Sequence, residues 1–303
     1  MPAARRGRRR PMTIEALVRD FRGTVSPPII YLRINEELSR PDPRPHVITE
    51  IIGEDAGLTA RLLRLVNSSF FSVPQRIETV SEALRLVGHS QVRDLALVTT
   101  MMTSFREIPS DLVSMNEFWL HSLAVGVGAR AVARSVGELN VERYFLAGVL
   151  HDIGRLVMLT GGGERMRQAI LRAREGNMLL YGAELEEFGF AHTRVGEELL
   201  RSWGLPLYLQ HAAGCHHAPL KSVHYVLEAS VIHLADALAH ALRYGGNGEQ
   251  FVPPLSRGGW NHIGVSKLAL TTIGMEVDRQ VIALLDVLSH DAPHDSLSNI
   301  AHL

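Results

Sequence analysis

Apolar residues recur along most of the chain at intervals of three and four positions, which is the spacing of one face of a helix. The first such series is Ile14, Leu17, Val18 and Phe21, which follows Thr13 as a candidate cap. The alternation of apolar and polar residues that is typical of strands is nearly absent. The pattern therefore predicts an all-α protein, with helices over 14–21, 29–38, 47–52, 58–66, 80–87, 90–104, 116–136, 142–159, 164–175, 192–203, 222–243 and 266–288.

Capping residues and glycines divide this helical pattern. Thr79 can cap the helix over 80–87 and Ser90 the helix that follows it, with Gly88 between them. The glycines at 161–163 and 245–248 predict flexible breaks. We expect four parts: a basic arm and leading helix (1–24), an N-terminal helical lobe (25–115), a central histidine-bearing lobe (116–245), and a short C-terminal helical module with a polar tail (246–303).

Composition narrows the class of protein. The 303 residues carry a formal net charge of −1, so the whole chain has no electrostatic attraction to nucleic acid or to an acidic membrane surface. No apolar run reaches the length needed to span a membrane. A single cysteine, Cys215, excludes an intramolecular disulfide and indicates a reducing compartment, so we expect a cytoplasmic protein.

Positive charge is concentrated at the N-terminus, where five of the first ten residues are arginines. They could form a nucleic-acid-binding arm, a solvated tail, or sequence upstream of a start at Met12. We favour the solvated tail and the upstream sequence over the nucleic-acid-binding arm.

The segment 79–104 has the outline of a helix-turn-helix DNA-binding motif. Its second helix offers Arg93 almost alone among apolar residues, which is typical of a core helix. Gly126 and Gly128 are best explained by close helix packing.

Histidines are the unusual feature of the composition. Nine of the fifteen fall between His121 and His240. His151 and Asp152 are adjacent within an apolar helical segment, where burying both without compensation would cost on the order of several kcal/mol. A divalent metal would compensate for both. Other side chains could join them from neighbouring helices: His121, His192, His216, His217 and Asp236. Without cysteines, the ligands would be imidazole and carboxylate.

The order of these residues resembles a known set of proteins. His121, His151-Asp152 and Asp236 resemble the H…HD…D ligands of the HD phosphohydrolase superfamily, and the fuller series with His192 and His216-His217 resembles its two-metal HD-GYP branch. The closer resemblance is to the HDOD family, the HD-related output domain, and it extends over about 25–242. It is carried by the segments 58–68, 77–88, 118–122, 148–154 and 192–206, and by His216-His217.

The resemblance implies an HD-domain-like helical bundle holding two divalent ions of iron, manganese or zinc. His121, His151, Asp152 and Asp236 would bind one ion, and Asp152 would bridge to a second ion bound by His192, His216 and His217. Glu117 resembles an additional ligand, and Arg155 lies where a basic residue could steady a phosphate. His211, His224, His233 and His240 match no ligand position and are interpreted as structural groups or as groups that support the ligands; the other histidines are interpreted as structural or solvated.

Two functions stay open. Many HDOD members are regulatory or scaffold modules, which would act through signalling proteins supplied in trans, through a nucleotide ligand, or as a homodimer. The alternative is a metal-dependent phosphohydrolase in which Asp152 and Arg155 serve catalysis. The Gly-Tyr-Pro loop of HD-GYP enzymes is missing after His217, where Ala218-Pro219-Leu220 follows. We therefore favour the regulatory module.

Overall fold

The computed structural model describes residues 12–289 except 24, 26, 69, 72 and 106–112. The basic arm (1–11) and the polar tail (290–303) lie outside these residues. Within the described ranges all regular secondary structure is helical, which confirms the all-α prediction. In the same part of the chain, no helix combines the length and the apolar character that crossing a membrane requires.

The helices of the first third of the chain follow the sequence pattern closely. They are α1 (Ile14–Arg22), α2 (Ile29–Leu38), α3 (Pro45–Gly53), α4 (Ala56–Asn67), α5 (Val80–Leu86) and α6 (His89–Ser104). The Thr13 cap is confirmed, and Thr79 forms a capping box with Glu82. The Ser90 cap is wrong: Gly88 turns the chain with a φ of 102°, so α6 begins at His89 without a side-chain cap.

The rest of the described chain forms the helices that surround the candidate site. They are α7 (Met115–Ser135), α8 (Glu142–Leu150), α9 (Ile153–Gly162), α10 (Glu164–Gly176), α11 (Leu180–Phe188), α12 (His192–Ser202), α13 (Leu207–Cys215), a 3₁₀ turn (Pro219–Lys221), α14 (Val226–Ala241), α15 (Arg257–Ile263) and α16 (Lys267–Ser289). The sequence pattern had left α11, α13 and α15 without an assignment.

Helix α7 lies at the centre of this arrangement and packs against α8, α14 and α16. Its small residues allow the close approach that the sequence predicted. A Cβ atom added at Gly126 would lie 2.8 Å from the Phe145 carbonyl oxygen, and one at Gly148 would lie 2.6 Å from the Gly126 Cα. The two helices thus meet backbone to backbone, which fixes the relative positions of the side chains that they carry.

The ends of the described chain pack onto the central helices. Helix α1 contacts α9 and α12, and α16 runs along α7 with Ile273, Val277 and Val281 buried. Helix α6 is a core helix, since Leu97 and Val98 are fully buried. These helices share a continuous apolar core, and it encloses the polar cluster described below.

Two long predicted helices are wrong in detail. The helix predicted over 142–159 is interrupted at His151 and Asp152, which separate α8 from α9. The helix predicted over 222–243 begins only at Val226, because the Ser222 hydroxyl accepts a hydrogen bond from the Tyr225 backbone N–H and holds the preceding residues in a turn.

Candidate metal centre

The break between α8 and α9 allows two adjacent side chains to enter one cluster. Successive side chains on an unbroken helix point about 100° apart. Asp152 instead has φ −100° and ψ 11°, in the sparsely populated bridge region, while His151 remains helical. The interruption therefore brings an imidazole and a carboxylate together.

The predicted metal ligands converge from five places in the fold. His121 comes from α7, His192 is the first residue of α12, and Asp236 comes from α14. His216 and His217 follow α13 directly. His151 and Asp152 lie at the break between α8 and α9. Six of these seven histidine and aspartate side chains are at most 1% exposed: His121, His151, Asp152, His192, His216 and Asp236.

One half of the cluster surrounds a single carboxylate oxygen. The Oδ1 atom of Asp236 lies 3.2 Å from His121 Nε2 and 3.7 Å from His151 Nε2. The other half surrounds Asp152 Oδ1, which lies 3.0 Å from His192 Nε2 and 3.6 Å from His216 Nε2. The Nε2 atoms of His192 and His216 are 3.3 Å apart.

These separations fit a bound cation. With metal–ligand bonds of about 2.0–2.1 Å, the edges of a tetrahedron measure about 3.3–3.4 Å. His192, His216 and His217 can offer ligand atoms within 4.8 Å of one another, and so can His121, His151 and Asp152. The predicted ligand set thus lies together in space.

Hydrogen bonds orient three of the imidazoles with Nε2 toward the cluster. His151 Nδ1 is 2.7 Å from the Gly148 carbonyl oxygen, and His216 Nδ1 is 3.0 Å from the Ala213 carbonyl oxygen. His192 Nδ1 lies 2.6 Å from Glu184 Oε2. When Nδ1 donates to these oxygens, the Nε2 lone pair faces inward, which is how metal-binding histidines are held.

Several buried polar atoms at the centre have no hydrogen-bond partner among the described residues. They are both ring nitrogens of His121, Nε2 of His151 and of His217, and Oδ1 of Asp152 and of Asp236. Buried polar atoms are rarely left this way, because the loss of hydration is costly. A divalent cation would satisfy the nitrogens and oxygens together, so the residues fit a metal.

The pKa values of the clustered groups shift in different directions. Burial alone would lower the pKa of His151 and of His192, but the neighbouring carboxylates raise both. Desolvation lowers the pKa of His121 to about 4 and that of His216 to about 3, so both imidazoles are neutral near pH 7. Burial alone would raise the pKa of Asp236, but its histidine neighbours hold it well below its usual range. Neutral imidazole and ionised carboxylate are the forms that bind a metal.

Arg155 lies inside the cluster and is 1% exposed. Its guanidinium donates to Asp152 Oδ2 at 2.8 Å and to Glu184 Oε1 at 3.2 Å. The two carboxylates balance the positive charge of the Arg155 guanidinium, which is how this group can be buried beside the histidines. A phosphate contact by Arg155 stays a prediction.

The segment 245–249 contacts both Asp152 and Arg155 through Asn247. Asn247 is 2% exposed and donates from Nδ2 to Asp152 Oδ2 at 2.6 Å. Gly246 N–H donates to the Glu117 carbonyl oxygen at 3.1 Å. The break predicted at 245–248 is confirmed, since these residues lie between α14 and α15, while their flexibility stays a prediction. The glycines allow close packing, because a Cβ at Gly245 would lie 2.1 Å from that same Glu117 carbonyl oxygen.

Glu117 and His240 differ from what the sequence suggested. Glu117 is half-buried, and it belongs to none of the possible metal-ligand groups found among the described residues. His240 was interpreted as structural or as supporting a ligand, and its Nε2 lies 3.3 Å from Asp236 Oδ1, which places it beside the cluster itself. The signal that could have found it is its position four residues after Asp236, on the same face of α14.

Other histidines have structural contacts, as expected. His233 Nε2 accepts a hydrogen bond from the Ser256 backbone N–H, and His211 Nδ1 lies 3.0 Å from the Ser222 hydroxyl. Cys215 is half-buried, and burial raises the pKa of its thiol, which disfavours the reactive thiolate. These groups therefore lie outside the metal cluster.

Comparison with known proteins identifies a family for most of the chain. The family model of the HDOD domain matches residues 25–219. That span contains six of the predicted ligands and ends before α14, so Asp236 and His240 lie beyond it.

Similar proteins share the fold over most of the chain. The crystal structure of an HDOD domain protein of unknown function from Geobacter sulfurreducens is 25% identical, with a TM-score of 0.74, over 89% of this chain and 96% of that one. A candidate phosphohydrolase from Shewanella amazonensis SB2B is 20% identical with a TM-score of 0.68, over 90% of this chain and 98% of that one, a likeness of fold alone.

A curated relative matches only part of its own length. An uncharacterized protein of Treponema pallidum (strain Nichols) is 25% identical over 187 residues, which are 61% of this chain and 36% of that protein. The chain thus spans about a third of this relative, and the activity of the longer protein does not transfer with the match.

Proposed function

The chain belongs to the HDOD domain family, and we propose that it is a regulatory module built around a divalent transition-metal centre. In this proposal the metal stabilises or switches the helical bundle, and the module acts by binding signalling proteins or a ligand. The observation that carries the proposal is the burial of the centre: the side chains of His121, His151 and Asp152 are at most 1% exposed.

Burial favours a regulatory role over hydrolysis for a geometric reason. Metal-assisted hydrolysis requires the substrate phosphate to reach the ion and an activated water beside it. Here Arg155 and Asn247 both donate to Asp152 Oδ2 and fill the space on that side. A centre enclosed in this way suits a structural or sensing ion.

The donor set supports a first-row transition metal. Imidazole and carboxylate ligands suit iron, manganese or zinc. We propose two ions, because the ligands divide into a group around Asp236 and a group around Asp152, with three histidines (His192, His216 and His217) close to the latter.

A phosphohydrolase is the alternative function. The observation in its favour is that two groups of metal ligands lie side by side, joined through His151, which is 3.5 Å from Asp152 Oδ2 and 3.7 Å from Asp236 Oδ1. Paired ions in such an arrangement can polarise a phosphoryl oxygen and activate water. This alternative requires the segment 245–249 to move away from the centre.

Metal analysis of the protein purified without chelator tests the proposal. We expect at least one equivalent of transition metal, a large loss of it in Asp152→Ala, and an unchanged content in the control His262→Ala, since His262 is exposed. A wild-type protein with less than one equivalent, unaffected by Asp152→Ala, would contradict the metal centre.

A phosphodiesterase screen of the metal-loaded protein separates the two functions. We expect no turnover of phosphodiester or nucleotide substrates. Turnover that Asp152→Ala abolishes and His262→Ala leaves intact would establish the phosphohydrolase instead. Partners in trans, dimerisation and a cytoplasmic location stay predictions, which affinity capture, light scattering and fractionation can test.

A further inference from the structure

His240 lies on α14 at a position that neither the composition nor the family resemblance marked. It follows Asp236 by four residues, so the two side chains share one face of the helix. We propose that His240 is a metal ligand and forms a three-ligand site with His121 and Asp236. This inference rests on the metal centre of the proposed function and adds a ligand to it.

The geometry of these three residues is that of a coordination site. His240 Nε2 lies 3.3 Å from Asp236 Oδ1, and His121 Nε2 lies 3.2 Å from the same oxygen. Both values match the edge of about 3.3–3.4 Å expected around an ion with bonds of 2.0–2.1 Å. The imidazole rings of His121 and His240 are 4.4 Å apart between centroids, and the His240 side chain is 8% exposed.

Hydrogen bonding alone does not satisfy this group. Asp236 Oδ1 faces three imidazole nitrogens, the third being His151 Nε2 at 3.7 Å. Among the described residues, none meets hydrogen-bond geometry with this oxygen or with either ring nitrogen of His121. One cation would satisfy Oδ1 and the facing Nε2 lone pairs at the same time, since it accepts several donors at this separation.

The hydrogen bonds of Asp152 explain why an additional ligand is needed. Oδ2 accepts from Arg155 at 2.8 Å and from Asn247 at 2.6 Å, which uses both of its lone pairs. Its free atom, Oδ1, faces His192 at 3.0 Å. In this proposal Asp152 offers Oδ1 to the second group of ligands, and His240 adds a ligand to the first group, where Asp152 Oδ2 is already occupied by two donors.

The ligand chemistry defines the ion that such a site takes. Two imidazoles and one carboxylate, with His151 adjacent, form a nitrogen-rich donor set that suits Fe²⁺, Zn²⁺, Co²⁺ or Mn²⁺ better than Mg²⁺ or Ca²⁺. The site is distinct from the group around Asp152, so the two ions should differ in affinity and respond to different substitutions.

Cobalt loading of the full-length protein tests the proposal. We would titrate Co²⁺ against a chromophoric chelator in the wild type, in His240→Ala, in the milder His240→Gln, and in the exposed-histidine control His262→Ala. We expect both substitutions at 240 to weaken one of the two bound ions by at least about tenfold. The other ion and the control should keep the wild-type affinity.

A direct spectroscopic reading comes from His240→Cys. A thiolate bound to Co²⁺ gives a near-ultraviolet charge-transfer band, and the wild type with Cys215 alone provides the baseline. Appearance of the band in a folded protein supports the assignment. The assignment is overturned if the band is absent and His240→Ala and His240→Gln keep wild-type affinity at both sites. A wild type that binds no Co²⁺ overturns the proposed function as well, so the two failures are distinguishable.

Discussion

At the residue scale, the hydrogen bond from Asn247 to Asp152 links the segment 245–249 to the metal centre. Asn247 Nδ2 lies 2.6 Å from Asp152 Oδ2, and its backbone carbonyl oxygen lies 3.4 Å from an Arg155 nitrogen. Residues that orient a ligand in this way typically change metal affinity by 10–100-fold when they are removed.

We therefore expect Asn247→Ala to weaken metal binding by about tenfold or more. The Asp152 carboxylate would lose one of the two donors that fix its orientation, and the segment would lose its anchor. Chelator competition measures the affinity. Gln250→Ala is the matched control, since Gln250 is exposed and directly follows the segment. Equal affinities of Asn247→Ala and the wild type would show that Arg155 alone orients Asp152.

A second residue gives a prediction about pH. Glu37 is 5% exposed, and its carboxylate accepts two hydrogen bonds from the Arg44 guanidinium, which lower its pKa to about 2. A lowered pKa stabilises the fold above the unfolded value near 4.5, and that stability is lost as the pH falls from there toward 2.

Glu37→Gln should therefore reduce the free energy of unfolding most at neutral pH. The difference between variant and wild type should shrink as the pH falls from 4.5 toward 2, because wild-type Glu37 becomes protonated. Urea unfolding at several pH values measures it, with Glu36→Gln as the exposed neighbouring control. A difference that does not change with pH would mean that the carboxylate contributes by packing alone.

At the scale of elements, the sequence predicted where helices lie better than where they break. The pattern of apolar residues located α2 and α7 within one residue, because α2 buries one face and α7 is buried on all sides from 118 to 133. The break at His151 and Asp152 left no signal, since both residues are flanked by apolar residues that continue the helical pattern. Only the tertiary requirement that both side chains face one cluster explains it.

The close approach of α9 to α12 also depends on a single residue. A Cβ at Gly154 would lie 2.1 Å from the His192 carbonyl oxygen and 2.4 Å from the Gly196 backbone nitrogen. Gly154→Ala should therefore force the two helices apart, displace His192 and destabilise the protein by roughly 1–3 kcal/mol, with weaker metal binding. Thermal unfolding and chelator competition measure the two effects.

Gly274→Ala provides the matched control for that prediction. Gly274 lies in α16, and a Cβ there would meet nothing within 4 Å. This substitution should be neutral or should stabilise the protein by about 0.5–1 kcal/mol, through the higher helix propensity of alanine. Similar behaviour of the two variants would show that α9 and α12 can separate without consequence.

At the scale of the whole molecule, the sequence predicted which side chains lie together in the cluster but not which of their atoms already have hydrogen-bond partners. The order of histidines and aspartates along the chain identified seven side chains that the fold does bring together. The family resemblance also implied their division into two groups with Asp152 between them, and this division stays a prediction. The sequence could not show which oxygen of Asp152 is already occupied by the protein's own hydrogen-bond donors. That occupancy comes from Asn247, which is 95 positions away in sequence and lies in a segment whose glycines suggested flexibility.

Because the ligands come from α7, the α8–α9 break, α12, α14 and the turn after α13, metal should stabilise the bundle as a whole. A ligand present at 100 times its dissociation constant adds about 2.7 kcal/mol of stability, which corresponds to a shift of roughly 4 °C in Tm for a chain of this length. We therefore expect chelation to lower Tm by at least this amount, and added Zn²⁺ or Mn²⁺ to restore it.

The variant Asp152→Ala separates the stabilisation by bound metal from any general effect of the chelator on the protein. Its Tm should start lower, and chelation should lower it less than in the wild type, because the group of ligands around Asp152 Oδ1 has lost its carboxylate. Hydrogen exchange should then localise the effect, with faster exchange in α12 and α14 after metal removal than in α2 and α3, which carry no ligand. Equal Tm values for chelated and metal-loaded wild type would show that the buried cluster is stable without a cation.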